Sequence, residues 1–64
     1  MDILDKFKES CNGAVVRYNR GMFSKSEAHA YMMGAYFLSM EMTESMTELS
    51  RLKVHFEEKV SLLN

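Results

Sequence analysis

An all-α fold, a small bundle of three helices, is what this sequence predicts, and three observations carry the prediction. Proline is absent and glycine occurs only three times in 64 residues, so the chain is left to residues that tolerate or favour helix. Apolar side chains recur at steps of three and four, the spacing of one helical face. Serine and glutamate stand three apart just ahead of apolar runs, which is how helices announce their starts.

The first helix shows the pattern most plainly. Ile3, Leu4, Phe7, Cys11, Ala14, Val15 and Tyr18 share one face, and Asp2 is the residue type that accepts from the free amides of a first turn. Asp2 and Lys6 face each other one turn apart, which helps slightly. Gly13 interrupts the run at a cost of about 1 kcal/mol relative to alanine; it serves either the close approach of a neighbouring helix or an early helix end. Arg20-Gly21 supplies a cationic last turn and a glycine stop.

The second helix starts near Lys25. In Ser24-Lys25-Ser26-Glu27 the serine oxygen accepts from the Glu27 amide while the carboxylate reaches back, and Phe23 is placed to staple onto Ala28. The body of this helix is unusual. From Ala28 to Met46 apolar groups stand at almost every helical angle, and no lysine or arginine occurs from Ser26 through Ser50. A surface helix has one apolar stripe and a polar back, and a chain this short has little other material with which to enclose a helix on all sides. The expectation is a helix buried twice, once in its own fold and once against a second copy or another partner.

Its end is ambiguous. Thr43-Glu44-Ser45-Met46-Thr47-Glu48 gathers weak helix formers and offers two caps, Thr43 or Ser45, the latter with Glu48 as a second capping box. Met42, Met46, Leu49, Phe56, Val60 and Leu63 nevertheless continue a seam of threes and fours, with Leu52 beside it. The caps favour three helices at about 2–19, 25–40 and 44–62. The alternative is a two-helix hairpin with one very long second arm, which would need a dimer to cover it.

Composition narrows the function classes. Residues 1–64 read as a single helical domain near the lower size limit of a self-sufficient core. The net charge of −1 argues against a generic polyanion binder, although the charge is uneven: Lys6, Lys8, Arg17, Arg20 and Lys25 outweigh the acids of the first 26 residues, and glutamates dominate the rest. Cys11 is the one cysteine, which excludes an intrachain disulfide framework. The opening residues lack a secretory pattern, and the weakly polar run Ala28–Met40 is shorter than the roughly 20 residues that span a bilayer. A cytoplasmic protein is expected.

No motif points to chemistry. Ala30 and Gly34 loosely echo the small-residue spacing of a helix-turn-helix, but Ala35 to Ser50 holds no basic residue, Asn or Gln for phosphates or base edges. The metal-capable donors Cys11, His29 and His55 lack ligand spacing, so no metal or other cofactor is expected. Cys11 falls on an apolar face, where cysteine acts as a small hydrophobe, and no histidine is placed beside it as a base. Glu41, Glu44 and Glu48 would align as a solvated stripe if the helix continued. The chain therefore reads as a non-enzyme. Met22, Met32, Met33, Met40, Met42 and Met46 are either core filling or an adaptable docking surface, and aromatics in the same segment fit the second role. The expected self-association or partner interface is Ala30, Met32, Met33, Gly34, Tyr36, Phe37 and Met40. The alternative is a dimeric nucleic-acid-associated regulator using Lys6, Arg17, Arg20 and Lys25.

The helix start Gly21-Met22-Phe23-Ser24-x-x-Glu27-Ala28 and the short Leu38–Glu44 connection resemble those of short helical accessory proteins encoded in phage early regions, over most of the chain. That resemblance implies a protein that binds and redirects a host factor. It assigns no functional residue.

Overall fold

Three helices, α1 (Ile3–Asn19), α2 (Lys25–Met42) and α3 (Met46–Ser61), make up the computed structural model, which describes residues 2–63. The long second arm does not form. Thr43 (φ −110°, ψ 144°) and Ser45 (φ −92°, ψ 129°) are extended, so the apolar seam runs on while the backbone turns. The row Glu41, Glu44, Glu48 is thereby divided among α2, the connection and α3.

Each start is capped by the residue type the sequence offers. Asp2 Oδ1 accepts from the Asp5 amide at 3.0 Å. Ser24 and Glu27 form a complete capping box, with Glu27 N–H donating to Ser24 Oγ at 3.1 Å and Ser24 N–H to Glu27 Oε1 at 2.8 Å. At Ser45 the box is only half made. The Glu48 amide reaches Ser45 Oγ at 3.4 Å, but the Glu48 carboxylate takes the Thr43 hydroxyl at 2.6 Å instead of returning to the cap. Thr43 is nearly buried and its hydroxyl needs an acceptor, so it competes successfully for the carboxylate.

Between α1 and α2 the chain reverses through Gly21, whose φ of +76° lies in the left-handed region that side chains disfavour. Met22 N–H bonds Arg17 C=O at 2.8 Å and Gly21 N–H bonds Tyr18 C=O at 3.1 Å, the paired closure of a Schellman motif. Gly13 does not end α1, nor does a neighbouring helix lie over it. A Cβ there would meet the Arg17 guanidinium at 3.1 Å, so the bare backbone makes room for a side chain of its own helix.

The core is built from Phe7, Cys11 and Ala14 of α1, Ala28 and Met32 of α2, Leu52 of α3 and Leu63 beyond it. Enclosing the larger of these contributes about 1.5–3 kcal/mol each. Tyr36 links the three helices: its ring lies 6.0 Å from Phe7 and stacks on Phe56 at 4.6 Å with 6° between planes. Lys59 Nζ donates to Asn12 Oδ1 at 2.6 Å and ties α3 to α1. The seam of the third segment is corrected in detail. Leu52, placed beside it, is 1% exposed, whereas Met42 and Met46 are 56% and 77% exposed, because the break at Thr43–Ser45 turns both out of the bundle.

Candidate interaction surface

The inner face of α2 is marked by Ala28, Met32 and Ser39, all buried, at the separations of four and seven that keep one helical face. The opposite face is set by the same geometry, and it carries large apolar side chains between the exposed carboxylates of Glu27 and Glu41. Tyr31, Phe37, Leu38 and Met42 are 43%, 51%, 59% and 56% exposed, and Ala30 and Gly34 lie open between them. A Cβ added to Gly34 would meet nothing within 4 Å. Nothing in the chain's own packing therefore calls for a glycine in mid-helix, where it costs about 1 kcal/mol relative to alanine.

A furrow runs along the α1/α2 seam beside this face. At one end it deepens into a cleft of about 170 Å³ lined by Ile3 and Lys6 of α1 and Leu38 and Met42 of α2. It continues past Ser10 beneath Ala30, Tyr31 and Gly34. At the far end Arg17 places its guanidinium 5.8 Å from the ring centroids of both Phe23 and Tyr31, within cation–π range.

The residues expected at an interface divide into two sets. Met32 is fully enclosed within the chain and takes no part in the outer surface, because it stands one turn from Ala28 on the core side. Tyr36 and Met40 are half-buried and pack against the core, and Met33 is half-buried at its edge. Ala30, Gly34 and Phe37 do lie on the outer face. Tyr31, Leu38 and Met42 join them there, outside the set expected from sequence. Stepping three, four and eight residues from Gly34 reaches all three, so the signal is present once the glycine is taken as the centre of the face.

Of the basic residues, Lys6, Arg17, Arg20 and Lys25 are all exposed or half-exposed. Arg17 and Arg20 share a shallow hollow with Asn12 and Met22, and Lys6 stands at the opposite end of the furrow. Among the described residues no group of three or more His, Cys, Asp or Glu side chains could hold a metal ion. His29 rests 6.1 Å from the Phe56 ring, and His55 Nδ1 lies 3.6 Å from the Glu58 carboxylate. Cys11 is 0% exposed. Burial pushes its thiol up to about 11, with Lys59 pulling weakly the other way, so it stays protonated at neutral pH. No described helix is long and apolar enough to cross a membrane.

No protein-family model, curated protein or solved structure matches this chain.

Proposed function

We propose that this chain is a non-enzymatic protein-interaction module: a small helical bundle that self-associates through the outer face of α2 and docks on another protein to modulate it. The observation that carries the reading is the run of exposed Phe37, Leu38 and Met42 on a helix whose remaining faces already serve the core. Exposed apolar side chains scattered singly are ordinary; three large ones within six residues of one short helix support a contact surface. With α2 engaged in self-association, the outer faces of α1 and α3 are left for the second protein. A phage-type accessory role against a host factor in the cytoplasm fits a module of this size.

Sedimentation velocity over a wide concentration range tests the reading. A species heavier than one chain, reduced to one chain by the double substitution Phe37→Ser and Leu38→Ser with helical content kept, supports it. A single-chain species at every concentration overturns the self-association part.

The hollow shared by Arg17 and Arg20 favours one second reading, a small nucleic-acid-associated regulator. It requires duplex binding that weakens steeply with salt and is lost with Arg20→Ala. Absence of binding at low salt ends it.

A further inference from the structure

We infer that the cleft at the α1/α2 seam is a binding site for a small monocarboxylate whose apolar body is a single ring or a short chain. The cleft lies within one chain, so the site does not depend on the self-association proposed above.

The walls set the body of the ligand. Ile3 and Phe7 of α1 and Leu38 and Met42 of α2 border a space of about 170 Å³, and Phe7 closes it from the core side at 1% exposure. An apolar cavity of about 150 Å³ accepts benzene, so this space takes one ring or a chain of similar volume. Drug-sized molecules occupy pockets of roughly 300 Å³ and more.

Ser39 shows that the space also asks for a polar group. The residue is 8% exposed, and its hydroxyl has no hydrogen-bond partner in the chain. That hydroxyl is not sealed into the packing, since no fully enclosed side-chain oxygen or nitrogen among the described residues lacks a partner. Its accessible part therefore opens on the cleft that Ser39 lines. A helical serine can turn its hydroxyl back onto the carbonyl four residues earlier, and Ser39 does not. A nearly buried hydroxyl without a partner carries a desolvation cost, which a ligand oxygen accepting from it would offset.

Charge decides which kind of oxygen. Lys6 is the one ionisable residue on the lining, and no carboxylate shares the space with it. Lys6 makes no ion pair, the one such contact among the described residues being His55–Glu58. A carboxylate accepts from an ammonium and a hydroxyl together, and charge-assisted bonds of this kind are the strong ones. A ligand ammonium would be repelled by Lys6. A polyol would leave its further hydroxyls unpaired against apolar walls.

Benzoate titrated into the isotope-labelled chain at one fixed protein concentration tests the site, with benzylamine as a cation of the same shape. Saturable shifts centred on the amides of Phe7 and Ser39 are expected, with benzylamine at least about tenfold weaker. Ser39→Ala should weaken benzoate by about tenfold or more while raising the thermal midpoint of the free chain, because the lost hydroxyl serves the ligand and not the fold. Lys6→Gln should weaken benzoate by a similar factor with the midpoint unchanged. Shifts that do not saturate, or that centre away from the α1/α2 seam, would overturn the site. Equal affinity for benzoate and benzylamine, or for wild type and Ser39→Ala, would overturn the carboxylate assignment.

Discussion

Met32 and Phe37 sit on one helix, five residues apart, and are both large and apolar. Yet Met32 is 0% exposed and Phe37 is 51% exposed. The difference lies in what stands opposite each. Met32 points at α1 and α3, and Phe37 points away from both. On α1 and α3 a charged or polar back marks which side faces inward. On α2 the apolar residues are spread around the helix, so side-chain chemistry does not separate the enclosed residues from the exposed ones. The contrast teaches that in a very small domain one helix can fill the core with one face and leave large apolar side chains exposed on another.

The contrast breaks most sharply under truncation of the two faces. Met32→Ala should cost about 2–5 kcal/mol of stability in urea unfolding, since the packed neighbours only partly fill the cavity. Phe37→Ser should cost well under half of that for the single chain while weakening association. Equal losses at both positions would mean the two faces are not distinct.

The two corners that aim α2 come next. Gly21→Ala forces a side chain into φ +76°, a destabilisation of about 1–2 kcal/mol. Ser24→Ala removes the side-chain half of a complete capping box and should cost about 1 kcal/mol. Ser45→Ala should cost less in the same unfolding assay, because its bond is 3.4 Å long and the reciprocal half is absent.

Glycine sharpens the comparison in the opposite direction. Gly34→Ala adds a methyl to empty space and should raise single-chain stability by up to about 1 kcal/mol through helix propensity. Thermal unfolding at low concentration reads this directly. A loss there would place a hidden neighbour over Gly34.

The smallest effect is expected in acid. The Ser24 backbone amide and then its side chain hold the Glu27 carboxyl below its ordinary value of 4.5. A carboxylate with a lowered folded pKa contributes stability that is present above its unfolded value and lost as pH falls through the folded one. Wild type should therefore lose a small increment as pH drops below 4.5 that Glu27→Gln lacks. Parallel pH profiles for the two would remove the capping carboxylate from the account.

Local signals in the sequence are reliable wherever the physics is local. Asp2, Ser24 with Glu27, and Gly21 each set a boundary through bonds spanning three to five residues, and all three sit where their chemistry requires. The break before α3 is visible as two possible caps. Choosing between them depends on Thr43 taking the Glu48 carboxylate, a bond of five residues' span whose need is set by the burial of Thr43, a tertiary matter. The orientation of α2 is the least legible, because an all-round apolar helix has no polar side to fix its rotation. The set of residues expected at an interface therefore includes Met32, which is buried, while the exposed Tyr31, Leu38 and Met42 fall outside that set. Gly34 stands out in the sequence as a smooth patch, but only the space around it shows that the patch faces outward.

The most direct test of the central claim, that α2 folds the chain with one face and joins copies with the other, is the urea midpoint at two protein concentrations. A protein whose folded form associates has a midpoint that rises with concentration, by mass action. Wild type is expected to show this rise, and the Phe37→Ser, Leu38→Ser double variant to unfold at one midpoint throughout. A wild-type midpoint that stays fixed across a roughly hundredfold range of concentration would contradict it.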